Sequence, residues 1–489
     1  MVKQTSSFHA LLIVFVFFFL GVAAKGVHSF QEKNYHNLLN LQNIILQWQQ
    51  QQHQNGELSS CLSQRSRSVK GATILQMKHR AYCSGKVINW NKEQQKLLAL
   101  DVLHVNYLQS RIKNLHSFNK NGVLDTQIPI TSGVKLQTLN YIVTVELGGR
   151  QMTLIVDTGS DLTWVQCQPC KLCYNQQDPL FNPSMSPSYK QILCNSSTCK
   201  SLEIATGNSG LCGGNPPTCN YYVSYGDGSY TRGELARENL NLGTIPVINF
   251  VFGCGRNNHG LFGGASGLLG LGRSDISVVS QTSSIFGGVF SYCLPSMEAG
   301  ASGSLVLGGN YSVYRNSTPF SYTRMIPNPQ LTTFYFLNLT SISIGGVQLQ
   351  APGFGKFPGI LIDSGTVISR LPPGIYRALK AEFSKQFSGY PSAPGYSILE
   401  TCYNLSSYQE VNVPIMKFQF EGNSAMHVDV RGMFYFVKSD ASQVCLALAS
   451  LSFEDEIGII GNYQQRNQRI VYDIKESKVG FAGETCSSI

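Results

Sequence analysis

The sequence predicts a mostly β protein of two lobes of similar design, with a cleft between them. Three observations carry that expectation. Short β-type runs such as NYIVTVELGG (140–149) and QMTLIVDTG (151–159) alternate with Gly, Pro, Asn and Ser clusters after about residue 125. Long helices are few there; PPGIYRALKAEFSKQF (372–387), with Pro at its start, is the clear one. One pattern also occurs twice. LIVDTGS (154–160) returns as LIDSGT (361–366), each copy carrying Asp, Thr or Ser, Gly, and Ser or Thr after an apolar run. Each is followed downstream by an apolar pair and Gly: Leu268-Leu269-Gly270 after the first, Ile459-Ile460-Gly461 after the second.

From the N-terminus, residues 1–24 read as a secretory signal. Lys3 precedes an apolar stretch, ALLIVFVFFFL (10–20), and Val22-Ala23-Ala24 offers small residues for cleavage. The stretch is shorter than the roughly 20 residues a membrane span needs, and no apolar tail suggests a lipid anchor, so no stable membrane anchor is expected. The expected address is the secretory pathway, outside the cell first, with the vacuole as the other destination. Residues 25–124 are basic and include a polar low-complexity run, WQQQQHQ (48–54). In residues 93–115, Leu97, Leu100, Leu103 or His104, Leu108, Ile112 and Leu115 recur at helical spacing. An amphipathic helix is predicted there, in a segment that reads either as a flexible N-terminal extension or as a propeptide covering the mature protein. Residues 125–325 and 326–489 then form the two lobes.

The formal charge of +9 suggests a nucleic-acid partner until it is located. Residues 1–124 hold 14 Lys and Arg against 4 Asp and Glu; residues 125–489 hold 23 against 24. The mature region is therefore near neutral, and no nucleic acid is expected. Of the 14 cysteines, Cys61 and Cys83 lie in the basic segment. The other twelve are Cys167, Cys170, Cys173, Cys194, Cys199, Cys212, Cys219, Cys254, Cys293, Cys402, Cys445 and Cys486, an even set suited to six disulfides in an oxidising compartment. Cys194–Cys199 and Cys402–Cys445 are expected pairs. Sequons begin at Asn195, Asn310, Asn316, Asn338 and Asn404, consistent with a glycosylated surface.

The repeated aspartates, Asp157 and Asp363, carry the chemistry. Two carboxylates brought close cannot both ionise cheaply, so one keeps its proton while the other stays charged. A water between them can give a proton to the ionised member while the neutral one donates to a carbonyl oxygen. The neighbours fit that use. Gly159 and Gly365 let backbone N–H groups face the carboxylates, Ser160 and Thr366 can bond the outer oxygens, and Thr158 and Ser364 can cross-link the turns.

DTGS at 157–160, DSGT at 363–366, YGDGS at 225–229, GLLGLG at 267–272 and IIGNYQQRNQRIVYD at 459–473 stand in the order of the pepsin-like aspartic proteases, which residues 138–489 resemble. CQPCKLC (167–173) directly after the first motif resembles the plant nepenthesin-like branch. The resemblance implies a bilobal fold and an aspartic endopeptidase acting on peptides or proteins, monomeric, sensitive to pepstatin-type inhibitors and made as a zymogen held by its own propeptide. It implies no cofactor and no metal. It makes Tyr225, Gly226 and Asp227 part of a hairpin flap and Trp164 the support of Tyr225. Asp227 is a departure, since pepsins carry an uncharged residue there. The 126 residues after Asp363 leave no room for a saposin-like insert. Lys and Arg of the propeptide are expected to pair with carboxylates of the enzyme, the dyad included.

Other chemistries fit less well. CxxCxxC can hold zinc or an iron–sulfur cluster, but secretion favours disulfides. The glycine-rich residues 253–272 lack the Lys-Ser/Thr of a phosphate loop, and no G-x-S-x-G supports a serine hydrolase. The remaining rival is a catalytically silent binding or inhibitor protein of the plant cell wall on the same fold.

Overall fold

The computed structural model describes residues 35–46, 65–69, 71–79, 90–117, 141–225, 228–260, 262–296, 302–309, 313–314, 317–328, 331–356 and 359–486. The signal segment, Cys61 and Cys83, residues 48–54, Gly226 and Asp227, Asn310 and Asn316 lie outside them.

The fold is mostly β. In the first half, strand Tyr141–Leu147 pairs antiparallel with Arg150–Asp157, and both faces are buried, Val143, Val145, Leu154 and Val156 in one apolar cluster and Ile142 and Ile155 in another. Strand Gly267–Gly270 then runs parallel beside 154–157, with Gly270 opposite Asp157. The second half repeats the device in shorter form: Ile459–Ile460 lies parallel to Leu361–Ile362, immediately before Asp363. Each aspartate thus ends a buried strand held by a parallel neighbour. The duplicated motif and the apolar pair downstream of it are therefore one structural unit, used twice.

The halves are joined by antiparallel pairing of Val289–Cys293 with Gln468–Asp473. Two further four-stranded sheets, one around Leu339–Ile344 and Met416–Phe420, the other around Cys402–Tyr403 and Val444–Leu446, complete the second half. The helix expected at 372–387 forms as Pro373–Gln386, burying Ile375, Tyr376, Leu379 and Phe383. The expected lobe boundary at 325/326 falls inside strand Ser321–Ile326, which pairs with Lys478–Gly483.

All twelve cysteines from Cys167 on are paired: 167–254, 170–173, 194–212, 199–219, 293–486 and 402–445. The expected Cys194–Cys199 bond is not formed. Cys199 sits in helix Ser197–Thr206, whose packing turns it toward Cys219 on strand Thr218–Ser224, and Cys194 meets Cys212 instead. Asn195 and Asn404 are exposed and Asn338 is half-buried.

The basic segment is more deeply built in than a cover. Hairpin Ser66–Val69 and Ala72–His79 inserts into the main sheet, with Ala72–His79 pairing along Gly303–Gly308. Strand His36–Asn40 adds to Glu410–Pro414. The predicted amphipathic helix spans Trp90–Ser117. It buries Leu98, Leu100, Val105, Leu108 and Ile112, whereas Leu103 is 43% exposed. Of the two residues sharing that turn, His104 faces the protein.

Candidate active site

Asp157 and Asp363 stand at the ends of their strands, 5% and 0% exposed. Each is held by its own turn. Gly159 N–H donates to Asp157 Oδ1 at 2.9 Å and Ser160 Oγ to Oδ2 at 2.6 Å. Gly365 N–H donates to Asp363 Oδ1 at 2.9 Å and Thr366 Oγ1 to Oδ2 at 2.6 Å. Asp363 has two more donors, Thr366 N–H to Oδ2 at 2.9 Å and Thr158 Oγ1 to Oδ1 at 3.5 Å.

The glycines are required by close approach. A Cβ on Gly159 would lie 2.8 Å from Asp363 Oδ1, and one on Gly365 would lie 2.5 Å from Asp157 Oδ1. Each turn therefore abuts the other's carboxylate, and both Oδ1 atoms face one small space. The turns are cross-linked: Ser364 N–H donates to Thr158 Oγ1 at 2.9 Å, and Thr158 N–H to Ser364 Oγ at 3.1 Å. Thr158→Val would leave the buried Ser364 N–H without its acceptor. The expected cost is about 1–3 kcal/mol in urea unfolding, with Thr158→Ser restoring most of it.

Strands Thr218–Ser224 and Tyr230–Leu242 pair as an antiparallel hairpin, and Tyr225, just past the first strand, lines the same cleft as Asp157. Trp164 Nε1 donates to Tyr225 OH at 2.7 Å, and Phe262 packs edge-on against both rings. Trp164 thus fixes where the tyrosine points.

The charges of the dyad are unequal. Burial and the negative charge of Asp363 push Asp157 up to about 6. Burial also acts to raise Asp363, but the hydrogen bond and charge of His104 outweigh it and hold Asp363 below the ordinary carboxylate range. His104 Nε2 lies 3.1 Å from Asp363 Oδ2. Burial opposes its charge, yet the bond to Asp363 and the charges of Asp363, Asp157 and Asp101 raise it to about 9.

The expectation that Lys or Arg would meet the dyad is therefore corrected: among the described residues the cation on it is a histidine, which reaches from one face of the helix. Asp101 reverses the expected polarity. This acidic residue of the basic segment pairs with buried Arg370 at 2.8 Å and accepts the Val367 and Ile368 N–H groups just past the second motif. Gln109 completes the seam, donating to Ile457 O at 2.7 Å and accepting from Ile457 N–H at 3.1 Å. Tyr107 and Arg111, with His104, line a small cleft whose other walls include Asp157, Asp161 and Tyr225. Sequence reasoning missed Asp101, Gln109 and Arg370. The one available signal was polar residues on the helix's apolar stripe, His104 standing four residues from both Leu100 and Leu108.

Cys170 bonds Cys173 and Cys167 bonds Cys254, so CQPCKLC is disulfide framework. No helix among the described residues is long and apolar enough to cross a membrane.

Comparison with known proteins agrees with this architecture. The family models described as xylanase inhibitor N-terminal and C-terminal match residues 141–309 and 334–483. An aspartyl protease family protein of Arabidopsis thaliana is 42% identical over 439 residues, covering 88% of this chain and 90% of the relative. The aspartic proteinase nepenthesin-1 of Nepenthes gracilis is 33% identical, covering 71% and 78%. The crystal structure of soybean basic 7S globulin superposes with a TM-score of 0.55 at 20% identity, over 71% of this chain and 94% of that one, a likeness of fold alone.

Proposed function

The chain belongs to the plant aspartyl protease family, and from that premise we propose that it is an aspartic endopeptidase, made as a secreted zymogen. The observation that carries the reading is the complete pair of carboxylates, each with an amide and a hydroxyl donor. In the closed state Asp157 is raised to about 6 and Asp363, despite its burial, is lowered by His104, which leaves with the helix. With the cleft open the two carboxyl groups share one proton: the ionised member takes a proton from water, the water attacks the peptide carbonyl while the protonated member donates to its oxygen, and the proton taken from water passes to the leaving nitrogen. Tyr225, steadied by Trp164, closes over the substrate and excludes bulk water.

The precursor is the state in which helix Trp90–Ser117 fills this cleft and His104 occupies Asp363. Substrate cannot bind while that helix is present. The names of the matched family models favour the second reading, a silent binding or inhibitor protein. Against it stands the intact dyad, since a purely binding role needs no matched pair of hydrogen-bonded carboxylates.

The test is cleavage of a denatured protein by the activated chain, with and without pepstatin, across acid to neutral pH. Pepstatin-sensitive cleavage is expected. A folded chain freed of the helix that cuts nothing at any pH would overturn the enzymatic reading.

A further inference from the structure

Helix Trp90–Ser117 turns His104, Tyr107 and Arg111 into the cleft from one face. His104 meets the dyad. Arg111 stands two turns further on, in a seat built mostly by the rest of the chain. Its guanidinium carbon lies 5.2 Å from the centre of the Phe334 ring and 5.9 Å from that of Tyr107, on its own helix. Helix Ser197–Thr206 ends against it: a Cβ on the capping Gly207 would lie 3.8 Å from Arg111 Nε. That helix has no basic residue in its own last turn, so Arg111 supplies the cation that its negative end favours. Asp161 lines the same cleft; burial pushes it up to about 6, while its bond from Ser274 N–H and the charge of Arg111 act the other way.

These walls outlast the helix. Phe334, 0% exposed, belongs to one apolar cluster with Leu108 and Ile112 of the helix, so departure of the helix bares the ring to the cleft. The end of helix Ser197–Thr206 is fixed by other means: Cys199 bonds Cys219, and Thr333 Oγ1 donates to Ile204 O at 3.4 Å. The seat then keeps an aromatic face and a negative helix end without the cation that filled it. A ring holds a cation through its quadrupole, and a helix end through its carbonyls.

We propose that this seat is a subsite of the working enzyme for a basic side chain, and that Arg111 holds its place in the precursor. The proposal deepens the endopeptidase reading above and rests on it. The substrates are then peptides with Arg or Lys near the bond that is cut. Arg is favoured, because its planar, weakly hydrated guanidinium stacks on a ring better than an ammonium does. The seven residues from His104 to Arg111 span about 10 Å of helix, which an extended peptide covers in about three residues. The basic residue therefore belongs about three positions from the scissile bond. In acid, where Asp161 keeps its proton, the ring and the helix end do the holding.

The experiment uses the full-length chain, activated in acid and freed of residues 90–117, and a set of decapeptides whose central amide is replaced by a methylene-amine link that cannot be hydrolysed. Arg, Lys or Met is placed at each position in turn, and binding is read by fluorescence anisotropy. Arg about three positions from the central link is expected to bind about tenfold tighter than Met there, with Lys in between. Phe334→Leu should shrink the Arg advantage to about threefold or less. Should that variant not fold, the peptide of residues 90–117 and its Arg111→Met form, titrated against the same freed chain at neutral pH, read the seat directly; the Arg111→Met form is expected to bind about tenfold more weakly. Equal affinity of Arg and Met peptides at every position overturns the inference. So does an Arg advantage that Phe334→Leu leaves whole, or an Arg111→Met peptide that binds as tightly as the wild type. Binding is read without hydrolysis. A chain that prefers Arg yet cuts no peptide sinks the endopeptidase reading alone, whereas one that cuts peptides without regard to Arg sinks this inference alone.

Discussion

Asp157→Asn and Asp363→Asn are each expected to lower kcat for peptide cleavage by at least about 10⁴-fold, the upper range for removing a positioned acid or base. Neither should change the unfolding midpoint by more than a few degrees. The amide keeps one oxygen to accept from Gly159 or Gly365 and fills the same volume; at position 363 its NH2 faces the Thr366 N–H, so the cost there is the loss of that one hydrogen bond. What it cannot do is exchange a proton. The two variants should fail alike, because the carboxylates act as a unit and the single losses do not add. Initial rates on a denatured protein, with circular dichroism as the folding control, decide it. Full activity in either variant would place the chemistry elsewhere.

The second large effect concerns His104. In the precursor its pKa is raised to about 9, so its contribution to helix docking is complete below the ordinary value of 6.5 and disappears as pH climbs through about 9. Asp363 is shifted the other way. Its contribution is complete above 3.8 and disappears as pH falls through its lowered value. Docking is therefore tightest between those ordinary values, and acid below the carboxylate range releases it. Asp157 opposes this in part: raised to about 6, it keeps its proton more tightly here than an ordinary carboxyl group, so its contribution is kept in acid and lost as pH rises through about 6, and acid release rests on Asp363. Asp101, on the helix itself, is engaged with Arg370 and two backbone amides, and Asp161, in the cleft wall beside Arg111, is raised to about 6 by burial.

His104→Leu removes a charge-assisted hydrogen bond, about 1.5–3 kcal/mol, so the share of precursor with an open cleft should rise roughly 10- to 100-fold. The expected result is that cleavage by the still uncut precursor begins at a pH at least about one unit higher than in the wild type. His104→Leu and wild-type precursors with the same onset would show that the helix is held by its apolar face and Asp101 alone.

Much of the fold was legible because the motif is short-range. Alternation in residues 140–149 and 151–159 sets the strands, Asp157 ends one of them, and the glycine after it announces a turn. Repetition at 361–366 then implies a second lobe. The helix was legible too, since Leu100, Leu108 and Ile112 keep one face. Cys402–Cys445 was readable, but Cys194–Cys199 was misread because nearness in sequence says nothing about the direction in which helix Ser197–Thr206 points its cysteine.

The sequence by itself determined the paired aspartates, their hydrogen-bonding neighbours, the hairpin before Tyr225 and the two-lobed β architecture, because each depends on residues adjacent in the chain or on one repeated pattern. Only the tertiary structure decided what meets the dyad and what belongs to the sheet. His104 reaches Asp363 across 259 positions, Asp101 reaches Arg370 across 269, and Ala72–His79 finds Gly303–Gly308 more than 200 residues away. Such partners are chosen by which buried charge needs neutralising and which strand edge needs pairing, and neither need is written beside the residue that meets it.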